Sequence, residues 1–275
     1  MLRGPRRETA AAGLATDPDA DRLGVRVKDK DGVYHTLTGN MSGCLLADYE
    51  IGQRKARDGY LPEDGALITT IVSSGMAAAI ARYYGVDVIE TLTGFKYIGQ
   101  KILNFEAKGK GTYLFGFEES YGCLIGTYAR DKDAIAATMA LAEAAAYYKT
   151  KGMTLWDAML DLYARVGWYK EDVRSVTLAG IEGQQKIAAI MDGLRANPPR
   201  EVGSFRVIAV RDYEKDSVEN FVSGQKGTTG LPKSNVVYLE LEMTPGSACG
   251  PRAPSRRSNS ISERAERTKR RSTRR

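Results

Sequence analysis

Over residues 66–195, short apolar runs alternate with longer segments of helical period. That alternation constrains the fold more than any other feature, because strands and helices laid down in turn must bury their apolar sides against each other as an α/β layer. Ala66–Val72 (ALITTIV) reads as a buried strand, and Ser73-Ser74-Gly75 opens a helical stretch through Tyr84. Val86–Glu90 and Tyr113–Phe117 read as further strands. Asp133 is placed to cap an alanine-rich helix from Ala134 to about Lys149, which Gly152 ends. Helices follow over Leu155–Val166 and Ile181–Leu194, until Asn197-Pro198-Pro199 breaks the pattern. Before this layer, residues 23–38 alternate apolar and polar around Lys30-Asp31-Gly32, as a hairpin does. Residues 40–57 then read as a helix leading to the turn Gly59-Tyr60-Leu61-Pro62. Beyond the layer, Phe205–Val210 and Asn235–Leu241 read as strands of a smaller α+β unit, and no internal repeat is visible.

A chain of 275 residues with 43% hydrophobic content can bury a sizeable core. No apolar run reaches the length of a membrane span, and the opening MLRGPRRETAAAG lacks the apolar core of a secretory signal. Cys44, Cys123 and Cys249 lie far apart without C-x-x-C spacing, so neither a zinc site nor a disulfide framework is indicated, and a cytoplasmic location is expected. The single histidine, His35, sits in a polar stretch and reads as a surface residue. Acid–base chemistry must then come from Lys, Arg or carboxylates. The net charge of +6 is a property of one end: residues 250–275 hold ten Lys or Arg against Glu263 and Glu266, so +8 of the charge lies there and residues 1–249 carry −2. Basicity confined to a tail does not make a nucleic-acid-reading face, and no nucleic-acid partner is expected.

Chemistry is concentrated first in Ala15-Thr-Asp-Pro-Asp-Ala-Asp-Arg22. In a tight loop after a strand, Asp17, Asp19 and Asp21 can aim three carboxylates at one point, and oxygen-only ligation suits Mg²⁺. An EF-hand is excluded by spacing, since its sixth position would be Arg22 instead of Gly and its twelfth Lys28 instead of Glu. The competing reading of these residues alone is a solvated acidic turn.

The string ATDPDADRLGV resembles the metal loop of the α-D-phosphohexomutases, the phosphoglucomutase and phosphomannomutase family. Three further stretches match in the expected order: Thr91-Leu-Thr-Gly-Phe-Lys-Tyr-Ile-Gly99, Phe115-Gly-Phe-Glu-Glu-Ser-Tyr-Gly122 and Arg130-Asp-Lys-Asp133. The likeness continues more weakly to about Leu241. It implies a mixed-sheet α/β domain over 66–200, preceded by a partial metal-loop domain over 1–65 and followed by an incomplete α+β domain over 201–243. It further implies Mg²⁺ on Asp17, Asp19 and Asp21, with Arg22 and Lys132 as catalytic residues at the transferring phosphate. Thr93, Gly94, Glu118, Ser120 and Arg130 would contact a hexose phosphate, glucose 1- or 6-phosphate or a mannose phosphate. Glu119 would point elsewhere.

Two departures from that family pattern bear on activity. The serine-histidine-asparagine-proline loop that carries the family's phosphoserine does not occur in this sequence, and fourteen residues precede the metal loop. Where a phosphate-gripping loop resembling RPSGTEPK is expected, the chain reads GPRAPSRRSN. Codons that encode WFCVRPSGTEPKIKLYFG, which contains that loop, can, read one base later, encode Gly246–Ser262 as they stand, which places a frame shift between Tyr238 and Pro245. Residues 244–275 are then expected to form a basic, disordered tail. The function expected is that of a phosphohexomutase fragment, inactive by itself. The alternative is a non-catalytic sugar-phosphate-binding or assembly module that needs a separate first domain.

Overall fold

The computed structural model describes residues 10–172 and 176–242, so the expectations for the tail and the phosphate loop fall outside the described residues. The chain divides into two compact units, one up to Trp168 and one from Tyr169 onward.

The first unit begins with a three-stranded antiparallel sheet of β1 (Ala12–Thr16), β2 (Leu23–Lys28) and β3 (Tyr34–Leu37), in that order. Leu23, Val25 and Val27 of β2 are buried while Gly24 and Arg26 between them are exposed, the period of two expected of a sheet with one wet face. Helix α1 (Gly39–Asp58) follows. Thr38 caps it by accepting the Met41 N–H, and Gly59 ends it in the left-handed conformation at φ 78°. Then come β4 (Gly65–Thr70), α2 (Met76–Tyr84), β5 (Asp87–Thr91), α3 (Phe95–Lys108), β6 (Thr112–Phe117), β7 (Cys123–Leu124), α4 (Ala134–Thr150) and α5 (Leu155–Val166).

The second sheet has the order β5-β4-β6-β7, parallel at its three long strands and antiparallel at β7. It is the mixed sheet that the family resemblance implies. Every residue of β4 is buried, as befits a central strand covered on both faces. Ala66, Ile68 and Tyr113 of the sheet share a core with Phe95, Ile98 and Ile102 of α3, while α1 lies against β6 and α2. Thus α1, which the sequence assigns to a segment ending at residue 65, sits in the same compact unit as β4–β6.

Two readings need correction. Helix α3 continues directly from Thr93-Gly94, although the sequence gives no helix there. His35 is not a free surface residue: its ring stacks on Trp156 at 3.9 Å, and Nε2 lies 2.7 Å from Asp29 Oδ2. The cause is tertiary, because α5 packs over β2 and brings Trp156 to a residue whose own neighbours are polar.

The second unit holds α6 (Gly180–Ala196), β8 (Glu201–Val202), β9 (Phe205–Asp212), β10 (Ser217–Asn220), β11 (Lys226–Gly227) and β12 (Val237–Leu241). Its sheet runs β11-β10-β9-β12, with β8 also paired to β9. Val207, Val210 and Leu239 form its core. Arg195, buried to 6% exposure, ties α6 to this sheet through Asp212 and Glu214. Among the described residues no helix is long and apolar enough to cross a membrane.

Candidate active site

In a sheet with parallel strands, the loops after the strand C-termini gather at one edge, where ligands bind. Here those loops are Leu92–Gly94 after β5, Glu118–Gly122 after β6 and Ile71–Gly75 after β4. The metal loop, between β1 and β2, joins them by backbone bonds. Leu23 N–H donates to Tyr121 O at 3.1 Å, Arg22 bridges Gly122, and Ala134 N–H at the start of α4 donates to Ala20 O at 3.0 Å.

Within the loop, Asp17 Oδ1 accepts the backbone N–H groups of Asp21 (3.2 Å) and Arg22 (3.1 Å), with Ala20 left-handed at φ 56° to make the turn. One oxygen from each of Asp17, Asp19 and Asp21 lies within 4.8 Å of the others. Desolvation works to raise the Asp17 pKa, but hydrogen bonds from Arg22 and Asp21 prevail and hold it below the usual carboxylate range. Asp21 Oδ1 is buried and has no hydrogen-bond donor among the described residues. An all-carboxylate set containing a buried oxygen that accepts no hydrogen bond fits a hard divalent cation, which would satisfy that oxygen.

Lys132 closes the other side. Its Nζ lies 2.9 Å from Asp21 Oδ2 and 2.8 Å from Asp131 Oδ1, and 5.6 Å from the centroid of the Phe95 ring, with the side chain only 9% exposed. Burial favours the neutral amine, yet the bonds to Asp131 and Asp21 outweigh it and raise the Lys132 pKa. The stem reaches this position by passing Gly122, where a β-carbon would stand 2.0 Å from Lys132 Cδ.

Two adjacent carboxylates in the β6 loop part company. Glu118 is 5% exposed, and Ser120 Oγ donates to its Oε2 at 3.4 Å. Burial pushes the Glu118 pKa up, Lys132 and the Gly94 N–H pull it down, and the upward effect wins. Glu119 turns the other way, its Oε2 accepting from Thr70 Oγ1 (3.0 Å) and Ser73 Oγ (3.3 Å) at the end of β4. Gly94, at φ 106°, precedes α3 and so places the amide that reaches Glu118; Thr93 beside it is exposed.

Asp21, Lys132, Glu118, Ser120 and Gly94 are therefore linked through direct or charge contacts. Arg130 is not among them. Its guanidinium is engaged by the Thr127 and Ala129 carbonyls and by Glu106 in the last turn of α3. Arg22 is half exposed, with Nε 3.7 Å from Asp21 Oδ1. Phe95 and Asp131, which hold the Lys132 ammonium, were not singled out by the sequence reading. Each lies inside a stretch that reading did quote, and nothing in the local pattern marks either one.

Residues 38–166 match the family model described as phosphoglucomutase/phosphomannomutase, alpha/beta/alpha domain III. A phosphoglucomutase of Staphylococcus aureus (strain bovine RF122 / ET3-1) is 39% identical over 226 residues, which is 82% of this chain. The chain belongs to the phosphoglucomutase/phosphomannomutase family. It spans 40% of the length of that relative, and the same share of a phosphoglucomutase of Staphylococcus epidermidis that is 37% identical. Among solved structures, the open form of the exocytosis-sensitive phosphoprotein pp63/parafusin, a phosphoglucomutase from Paramecium, shares the fold. Its TM-score is 0.51 at 20% identity, covering 83% of this chain and 36% of that one. The four stretches that carry the resemblance include the metal loop, which lies N-terminal to the matched domain.

Proposed function

We propose that this chain supplies the metal- and sugar-contacting part of a phosphohexomutase, whose reaction moves a phosphoryl group between positions of a hexose phosphate through a phosphoserine. The supporting observation is the salt bridge between Lys132 and Asp21, which joins the metal loop to the segment that precedes α4, beside the β6 loop that carries Glu118 and Ser120. Asp17, Asp19 and Asp21 would hold Mg²⁺, which when bound polarises the transferring phosphoryl group and offsets its developing charge. Arg22 offers a planar fork of donors to the same phosphate oxygens, and Lys132 supplies an ammonium beside them. Glu118 accepts from neighbouring sugar hydroxyls, Ser120 donates or accepts, and Thr93 and Gly94 form the facing turn. Arg130 contributes once a phosphate draws it from Glu106. The phosphoserine is not among these residues, so phosphoryl exchange requires a donor from outside the sequence described.

The test is ligand binding followed by ³¹P NMR on the full chain. Glucose 6-phosphate is expected to shift its resonance with an affinity no better than millimolar, because Glu118, Ser120 and Lys132 bury little of the ligand by themselves. The binding should strengthen with Mg²⁺ and vanish in Glu118→Ala. With glucose 1-phosphate, glucose 1,6-bisphosphate and Mg²⁺, no turnover is expected. Turnover in a preparation free of host mutase would overturn the need for an outside donor, and binding indifferent to Glu118 would overturn the sugar contacts.

A further inference from the structure

The two oxygens of Asp21 have different surroundings. Oδ2 receives the buried Lys132 ammonium at 2.9 Å, whereas Oδ1 is buried, accepts no hydrogen bond among the described residues and faces only the half-exposed, solvent-screened Arg22 guanidinium, whose Nε lies 3.7 Å away. The ammonium is confined in that place from several sides. Asp131 Oδ1 holds it at 2.8 Å, the Phe95 ring lies 5.6 Å away, and the stem occupies the space that the absent side chain of Gly122 leaves open. With 9% of the Lys132 side chain exposed, water screens its charge poorly.

We propose that Lys132 is a resident monovalent cation of the metal loop that competes with the divalent ion for Asp21, so that the ammonium weakens metal binding and metal binding loosens the ammonium. This rests on the reading that the three aspartates bind a divalent cation. A cation satisfying Oδ1 shares one delocalised carboxylate with the ammonium on Oδ2, and two positive charges across one carboxylate repel. The coupling is reciprocal by thermodynamic necessity. A phosphate that engages Lys132 neutralises the repulsion and lets the metal bind more tightly. In this way the arrangement favours joint occupancy by metal and anionic ligand over metal alone.

The experiment is a Mn²⁺ titration of the full chain, free Mn²⁺ being read by electron paramagnetic resonance and folding by circular dichroism. Lys132→Met keeps the stem past Gly122 and removes the charge. Its Mn²⁺ affinity is expected to rise about tenfold over wild type. Lys132→Gln carries the same expectation should the methionine variant fold poorly, and Lys132→Arg, which keeps the charge, should stay near wild type. A lysine that only props the loop would give the opposite sign, since its removal would loosen the aspartates and weaken the metal. Equal or weaker Mn²⁺ binding in natively folded Lys132→Met and Lys132→Gln therefore overturns the competition while leaving the metal site standing. Binding by the variants alone supports it in its extreme form. Absence of Mn²⁺ binding from wild type and both neutral variants would sink the metal reading and the competition together.

Discussion

Glu118 and Glu119 are neighbours of identical chemistry with separate roles, and the difference comes from their partners. Glu119 accepts from the hydroxyls of Thr70 and Ser73, which are 1% and 4% exposed, and so pins the β6 loop to the end of β4. Glu119→Ala would leave those hydroxyls without their carboxylate, and a loss of about 1–3 kcal/mol is expected in urea unfolding. Glu119→Gln, which keeps an acceptor, should lose less; equal losses would show that the charge matters and the hydrogen bonds do not. At Asp29, the hydrogen bond from the His35 ring is the largest influence and holds the carboxyl below its usual range, against some desolvation. A depressed folded-state pKa means the stabilisation is present above the unfolded value of about 3.9 and is lost as pH falls through the lower folded value. Wild type should accordingly show a steeper loss of stability than Asp29→Asn as the pH falls below about 4, measured by thermal melts across that range.

At the scale of elements, α1, α4 and α5 announce themselves through side-chain caps at their N-termini. Thr154 and Asp157 form a reciprocal capping box for α5, and Asp133 accepts the Ile135 and Ala136 N–H groups at the start of α4. Helix α3 lacks such a signal, since Gly94 offers no side-chain cap and Gly99 interrupts its interior. Its buried residues Phe95, Ile98, Gly99 and Ile102 do follow the helical period. Gly99 is kept small by tertiary packing, because a β-carbon there would lie 2.4 Å from the Arg130 carbonyl oxygen. Propensity alone says that Gly99→Ala should stabilise the helix by up to about 1 kcal/mol. The packing reverses that sign, and a destabilisation of about 1–3 kcal/mol is expected by chemical denaturation. A stabilised variant would mean that the α3 and Arg130 backbones can separate freely.

For the molecule as a whole, the first unit contains the sheet β5-β4-β6-β7, the hairpin sheet and the helices that cover them. A fragment of residues 10–168 is therefore expected to unfold in one cooperative transition, with far-UV and near-UV dichroism coinciding. Non-coincident transitions would mean that the hairpin sheet and the α/β layer are separate folding units. The family resemblance implies a boundary at residue 65. In the fold α1 packs on β6 and α2 across that boundary.

The sequence by itself determined α1, α4, α5 and the buried strands β4 and β6, though not α3, since caps, turns and periodicity act over a few residues. It also determined the acidic loop, whose three carboxylates lie close enough along the chain to converge without help from elsewhere. Convergence of the remaining site residues was decided only by tertiary structure. Asp21 and Lys132 are far apart in sequence and meet because the hydrogen bonds of Leu23 and Ala134 draw the metal loop to the β6 loop and the start of α4. The same packing decides that Glu118 faces Lys132 while Glu119 faces Thr70, that Phe95 lies near an ammonium, and that Arg130 is taken up by Glu106. Side-chain direction at a loop depends on which strands are neighbours, and no local pattern carries that order.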